Sequence, residues 1–163
     1  MKKLVLILVL AFLGLNACKK DTPVVVSAFD KVSYADIKAK EGTGDLTTAS
    51  IVAQDGNAVY KLNNGAIIVY KTNAGAYGKL LIVDNGSGNA AHALIFNMVN
   101  FKADGSVLFE KKNAQVDLGN FFDLDQGVQY LSDLNQSFSY SSVADKSKSI
   151  YPELATAMYL YAN

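Results

Sequence analysis

Few residues in this chain could act as nucleophiles. The 163 residues include one histidine, His92, and one cysteine, Cys18. Any serine–histidine–acid triad must therefore use His92, and the nearest serine, Ser87, lacks the Gly-x-Ser-x-Gly turn that exposes the serine of a hydrolase. A glycine-serine loop beside a strand histidine explains this spacing better. We predict that the protein is not an enzyme.

One acidic segment has part of the pattern of a metal-binding loop. Asp123, Asp125 and Gly127 share the alternating carboxylates and the sharp-turn glycine of a calcium loop. The glycine comes one position too early and no glutamate occupies the twelfth position, so we interpret the segment as a solvated acidic turn. Zinc needs three or four nitrogen or sulfur ligands, which one histidine cannot supply. We predict no metal site.

The first residues have the pattern of an export signal that ends on the cysteine. Lys2 and Lys3 precede an apolar run, Leu4–Leu13, which is too short to span a membrane. Leu15-Asn16-Ala17-Cys18 resembles the lipobox of bacterial lipoproteins, in which the cysteine becomes a diacylated, cleaved N-terminus. The resemblance implies a signal peptide over 1–17 and lipidation of Cys18. A buried free thiol or an uncleaved anchor helix would not explain why the lone cysteine lies where the signal ends.

Composition then limits the kind of domain that follows. A tether over 18–24 and a single domain over 25–163 remain after the signal, and 146 residues are enough for a real core. These residues carry 13 lysines, 15 acids and no arginine. Because arginine is the usual ligand for phosphates and base edges, we exclude nucleic acid as a partner. With its cysteine in the anchor, the domain has no disulfide.

Turn signals between apolar runs predict an antiparallel all-β domain. Asn63-Asn64-Gly65, Asn73-Ala74-Gly75 and Asp104-Gly105 each separate two such runs, which is a hairpin pattern. Both faces of Ala66–Thr72 are apolar, so this strand should be covered on both sides. We predict a sandwich or an open barrel with strands at 47–52, 59–62, 66–72, 77–83, 92–101, 107–109, 114–118, 128–131 and 138–140.

Other segments give more specific or more open predictions. His92 should share one strand face with Leu94, Phe96 and Met98, and residues 111–113 should form a turn. Pro152-Glu153 is typical of a helix start. A short C-terminal helix should then bring together three apolar residues at helical spacing, Leu154, Met158 and Tyr161. Residues 24–40 fit either a strand or a helical turn.

The run from Gly65 to Val83 resembles the core hairpin of the HmuY-like haem-capturing lipoproteins of the Bacteroidota. The matching segments are Val69-Tyr70-Lys71-Thr72 and Ala76-Tyr77-Gly78-Lys79-Leu80, and the acidic-aromatic segment 122–127 is similar to pieces of that family. The resemblance implies an all-β fold, a lipid anchor and a binding role, with iron held by a pair of histidine or methionine side chains.

The chain's own spacing limits which pair could hold the iron. His92 and Met98 would lie about 20 Å apart along a strand, so one iron could not bind both. His92 with Met158, or with a tyrosine, is the combination left open. We therefore predict that the protein has no cofactor, with haem as the alternative.

These observations predict a lipid-anchored, non-catalytic binding protein of the cell envelope, held on the outer membrane at either face. Beyond the membrane itself, its partner would be a small ligand, a glycan or an envelope protein. Function often lies on loops held by a rigid sheet. We therefore expect the ligand at a rim formed by the 84–89 loop, His92 and the 121–127 turn, which carries Asp123 and Asp125. Tyr70 and Tyr77 are secondary candidates, although a cross-strand aromatic pair in the core would explain them as well.

Overall fold

The computed structural model describes residues 27–49, 51–52, 62–87, 90–132, 136–142 and 148–162. Cys18, the signal over 1–17 and the tether over 18–24 lie outside these ranges. The described elements are α1 (Ala28–Lys31), α2 (Tyr34–Gly42), β1 (Ile51–Val52), β2 (Ile67–Lys71), β3 (Tyr77–Asp84), β4 (Leu94–Phe101), β5 (Val107–Val116), β6 (Asn120–Asp123), β7 (Val128–Tyr130), β8 (Phe138–Ser142), β9 (Lys148–Pro152) and β10 (Ala157–Ala162). No helix among them is both long enough and apolar enough to cross a membrane.

The strands form two five-stranded antiparallel sheets, which confirms the all-β prediction. Sheet A has the order β10-β2-β3-β4-β5, and sheet B has the order β1-β9-β8-β6-β7. A continuous apolar core lies between the sheets, so the architecture is a sandwich. Phe96, Phe122 and Phe138 meet in this core with ring centroids 5.0–6.0 Å apart. Aromatic contacts of this kind join the two sheets.

A second apolar layer covers the outer face of sheet A. Phe29 of α1 and Ile37 of α2 pack there with Val69, Tyr77 and Phe101 of the sheet. The residues of β2 are therefore buried from both sides, as their two apolar faces predict.

Both helices begin at capping boxes, which settles the ambiguity over 24–40 in favour of helix for the described part. The Ser27 hydroxyl accepts the backbone N–H of Asp30, whose carboxylate accepts the N–H of Ser27 in return. Ser33 and Asp36 make the same exchange at the start of α2. These hydrogen bonds, first of all those from the serine hydroxyls, hold the pKa of both carboxyls below the usual range.

A buried lysine fastens α1 to the sheet. Lys79 of β3 donates to the carbonyl oxygens of Phe29 and Val32 at 2.6 and 2.8 Å. Its ammonium also lies 4.5 Å from the ring centroid of Phe29. Burial lowers the pKa of Lys79, against the opposing effect of nearby carboxylates. The buried ammonium group of Lys79 thus finds its hydrogen-bond acceptors in the backbone of α1 and of Val32, which follows α1.

The predicted C-terminal helix is wrong. Residues 157–162 form β10, which pairs with β2 at the edge of sheet A, and Pro152 ends β9 instead of starting a helix. Successive side chains of this segment point to opposite faces of sheet A, as they do in a strand. Met158 faces the inter-sheet core, whereas Tyr159 packs against the outer layer. The short helices of the fold lie before the first strand.

The predicted turn at 111–113 is also wrong. β5 runs unbroken from Val107 to Val116 and holds one extra residue relative to β4 at this point. Asn113 takes up the irregularity with a φ of 52°, a left-handed conformation that asparagine tolerates. β5 is an edge strand, and its Lys111 and Lys112 are exposed.

Candidate functional site

The residues of the predicted rim lie at opposite ends of the sandwich, so the rim as predicted is wrong. Thr72, just after β2, donates to Asp125. Gly86, beyond the far end of β3, contacts His92. The eight residues of β3 separate these two ends by about 26 Å. The pairing of β6 in sheet B decides which turns lie at the same end of the sandwich. The residues of a single turn do not indicate how its strands pair with distant strands.

At the first end, His92 belongs to a closed network of hydrogen bonds. It precedes β4 with a φ of 53° rather than lying on the strand. The buried ammonium of Lys148 donates to the carbonyl oxygen of Gly86 and lies 3.1 Å from Nδ1 of His92. The hydroxyl of Tyr140 donates to the carbonyl oxygen of Asn85 at 2.8 Å. These contacts hold the 84–87 segment against sheet B and so have a structural role.

The described residues do not fit the haem ligation that the resemblance implies. His92 is exposed at one end of the sandwich, whereas Met98 and Met158 are only 1 % and 2 % exposed within the inter-sheet core. Neither sulfur can reach an iron bound at the surface by His92. Within the described ranges, no three His, Cys, Asp or Glu residues are grouped as metal ligands.

Tyr70 and Tyr77 lie on opposite faces of sheet A and do not form a cross-strand pair. Tyr70 is fully buried between the sheets, where its hydroxyl donates to Oδ1 of Asn100 at 2.7 Å. Tyr77 packs in the outer layer and donates to Glu41 of α2 at 2.5 Å. Burial is the main cause that raises the pKa of both phenols. Both side chains are structural, and neither offers a surface to a ligand.

At the second end, the turn after β6 holds two carboxylates. Oδ1 of Asp123 accepts the backbone N–H groups of Asp125 and Gln126 at 2.8 and 3.1 Å. Gly127 completes the turn with a φ of 69°, which glycine adopts without strain. Asp123 is only 4 % exposed. The interpretation of this segment as a solvated turn is therefore wrong for Asp123.

Two buried contacts fix this turn to the core. The amide of Asn100 donates to the carbonyl oxygen of Leu124 at 2.6 Å. On the other side, the hydroxyl of Ser137 accepts the N–H of Leu124 at 3.0 Å. Leu124 lies between the two acids, so these bonds fix the positions from which Asp123 and Asp125 project.

The two acids line a pocket of about 320 Å³, which we call the acidic pocket. The turn after β2, the turn after β6, the entry to β8 and the turn after β9 form its walls. Leu154 lies at its mouth, 51 % exposed. Leu154 and Ala155 both have positive φ, 46° and 63°, a conformation that costs about 1–2 kcal/mol for each residue with a side chain. Backbone strain of this kind is common beside binding sites.

Two polar side chains of the acidic pocket are left without partners. Gln136 is 3 % exposed and Thr156 is 1 % exposed. Neither Nε2 of Gln136 nor Oγ1 of Thr156 has a hydrogen-bond partner among the described residues. Sequence reasoning missed both, because a neutral polar residue beside a strand gives no sign of whether it will be buried.

Among the described residues that line the acidic pocket, the ionisable side chains are both acids, Asp123 and Asp125. No lysine is among the described residues that line it. Burial raises the pKa of Asp125, and the neighbouring charge of Asp123 raises it further, against the hydrogen bond from Thr72. The pocket thus offers carboxylate acceptors, an amide donor and hydroxyl groups within one open depression of the surface. This combination suits the hydrogen-bonded capture of a small polar molecule.

Comparison with known proteins gives no relative from which a role could be transferred. No family model matches the sequence, and no curated protein or solved structure matches it either.

Proposed function

We propose that this protein is a lipid-anchored, non-catalytic binding protein of the cell envelope that holds a small polar ligand in the acidic pocket. The observation that carries the site is the pair of unpartnered buried atoms, Nε2 of Gln136 and Oγ1 of Thr156. Burying a polar group without a hydrogen bond costs about 1–3 kcal/mol. A ligand that supplies the missing hydrogen bonds would offset this cost and so account for the presence of the two polar side chains.

The arrangement of groups supports binding rather than catalysis. The chain's one histidine lies at the opposite end of the sandwich, so the acidic pocket has no imidazole base. Its hydroxyl at Ser137 already accepts the N–H of Leu124. Activated nucleophiles need a base within hydrogen-bond reach. The described bases of the pocket are Asp123 and Asp125, and neither is hydrogen-bonded to a hydroxyl group of the residues that line it.

Attachment to the envelope is supported by the lipobox pattern that ends at Cys18. We expect the protein expressed in a Gram-negative host to incorporate labelled palmitate and to sediment with the membrane. The Cys18→Ser variant should incorporate none, because serine lacks the sulfur that receives the diacylglycerol. Intact mass spectrometry of the extracted protein would show cleavage before residue 18. An unprocessed start, or label that persists in Cys18→Ser, would contradict the anchor.

Removing either unpartnered polar group should stabilise the empty protein and weaken binding. Gln136→Met and Thr156→Val keep the shape of each side chain, so each should raise the free energy of unfolding by about 1 kcal/mol. Binding is measured by NMR titration with glucose, glucosamine and N-acetylglucosamine, through the shifts of the amide signals of residues 123–126. Each variant should lower by about tenfold the affinity for any of these sugars that shifts those signals.

Ser149→Ala is the matched control. Its hydroxyl is also buried and unpartnered among the described residues, but Ser149 lies on β9 and is not among the residues that line the acidic pocket. This variant should gain stability in the same way and leave binding unchanged. Loss of more than about 1 kcal/mol in Gln136→Met or Thr156→Val would mean that the polar group serves folding, and the site assignment would fail.

A further inference from the structure

No described residue provides a counter-ion for the carboxylates of the acidic pocket. Only one oxygen of each accepts a hydrogen bond, and no described residue donates to Oδ2 of Asp123 or of Asp125. Lys71, which neighbours Thr72 in sequence, is paired with Glu41 on the outer face of sheet A at 2.5 Å. Buried charges in proteins are normally paired with an opposite charge or a metal. The described lining of the acidic pocket supplies no cation for these two carboxylates, so a ligand that carries a positive charge would complement them.

A bare metal ion does not complete it well. Calcium takes six to eight oxygen ligands, and this pocket holds two carboxylates. The unpartnered Nε2 of Gln136 is a hydrogen-bond donor, which a cation repels and which instead needs an acceptor. At about 320 Å³ the pocket also has room for about ten water-sized groups, far more than one ion fills.

We propose that the ligand is a small organic amine that carries hydroxyl groups, of the amino-sugar or amino-alcohol class. This inference rests on the proposed function and names the ligand class for the same pocket. The ammonium group lies between the free oxygens of Asp123 and Asp125. A neighbouring hydroxyl accepts from Nε2 of Gln136, and a second one pairs with Oγ1 of Thr156. A ligand carboxylate is disfavoured, because two acids line the pocket with no described cation.

The ionisation of Asp125 gives this proposal a pH signature. Its raised pKa means that the carboxyl begins to take up a proton at a higher pH than an exposed aspartate does. An ammonium binds the ionised form, so affinity should be full at neutral pH and fall as the pH drops through that pKa. A neutral sugar has no ammonium group and is not attracted by the charge of Asp125. Its affinity should therefore change much less with pH.

The test compares glucosamine with glucose and N-acetylglucosamine, which replace the ammonium by a hydroxyl and by a neutral amide. By calorimetry at pH 7 and low salt, glucosamine should bind at least about tenfold tighter than either. Asp125→Asn should remove that preference and the pH dependence, because the amide keeps the shape and loses the charge. Glu110→Gln makes the same change of net charge on the exposed outer face of sheet A and should leave glucosamine affinity unchanged.

Several outcomes would overturn the inference. Equal affinity for glucose and glucosamine at this pocket would exclude the amine class and leave the proposed function standing. Calcium binding that Asp125→Asn abolishes, with no binding of glucosamine, would exclude the amine class and also replace the proposed polar ligand by a metal ion. If glucosamine and ethanolamine both fail to shift the amides of residues 123–126, the amine class is wrong. The proposed function then stands or falls separately, on the stability gains of Gln136→Met and Thr156→Val.

Discussion

Gly78→Ala should lower the free energy of unfolding by about 3–5 kcal/mol, a large share of the roughly 5–15 kcal/mol that is typical of a domain. A Cβ added to Gly78 would overlap the hydroxyl and Cζ of Tyr70 and lie 2.6 Å from the carbonyl oxygen of Val99. The Tyr70 ring is fully buried and bonded to Asn100, and the Val99 oxygen belongs to the backbone of β4. Neither neighbour can move without disturbing sheet A.

Gly42→Ala is the control for this substitution. Gly42 ends α2, has nothing within 4 Å of an added Cβ and does not have a positive φ. Alanine there should raise the free energy of unfolding by about 0.5–1 kcal/mol, because it restricts the unfolded chain. Urea denaturation followed by far-ultraviolet circular dichroism measures both changes. A Gly78→Ala protein within about 1 kcal/mol of the native chain would show that Tyr70 is not held as described.

Asn100→Ala should lower the free energy of unfolding by about 3–4 kcal/mol and disturb the acidic pocket as well. Asn100 is fully buried and joins the Tyr70 hydroxyl to the Leu124 carbonyl oxygen. Its removal leaves a donor and an acceptor without partners and opens a cavity between the sheets. Because Leu124 lies between the two acids of the site, the amide signals of Asp123 and Asp125 should shift and exchange faster with solvent.

A double-mutant cycle with Tyr70→Phe separates the two hydrogen bonds of Asn100. Tyr70→Phe alone should cost about 1–2 kcal/mol and leave the Leu124 contact in place, so the signals of the two acids should stay near their native positions. The double variant should lose about 1 kcal/mol less than the sum of the single losses. Additive losses, or an unchanged Asp123 amide in Asn100→Ala, would contradict the proposed link from the core to the site.

Local patterns predict β2, β3 and β4 of sheet A well, because the turn between β2 and β3 and the turn after β4 are specified by neighbouring residues. Gly75 and Gly105 have positive φ in the predicted hairpin turns that join β2 to β3 and β4 to β5. The hairpin predicted at Asn63-Asn64-Gly65 is not seen, because β10 and β3 occupy the two sides of β2. Its predicted first strand, 59–62, lies outside the described residues except for Leu62. The predictions at 111–113 and at the C-terminus are wrong because the conformation of both segments depends on distant partners. A bulge opposite β4 absorbs Asn113, and pairing with β2 makes residues 157–162 a strand. Propensity gives way to tertiary pairing in both places.

The site was only partly predictable for a related reason. Asp123 and Asp125 stand out in the sequence as acids in a glycine turn, and they do line the acidic pocket. The opposite wall of the acidic pocket contains Gln136, just before β8, and Thr156, just before β10. These two segments lie close together only because of the way the chain crosses between the two sheets. His92 attracts attention because it is the one histidine, yet it lies at the far end. Rarity of a residue type does not indicate where the fold will place it.

The open edge of sheet A bears on how crowded copies of this protein behave. β5 pairs with β4 on one side only, and the free side of a ten-residue edge strand is a template for strand addition by another molecule, and so a starting point for aggregation. Lys112 at its middle would face the Lys112 of an incoming copy aligned antiparallel about that residue, whereas the ammonium of Lys111 donates to the carbonyl oxygen of Gly127. The bulge at Asn113 would also break the alignment. Fibril-like growth along this edge is therefore opposed by electrostatic repulsion and by shape, even at high local concentration.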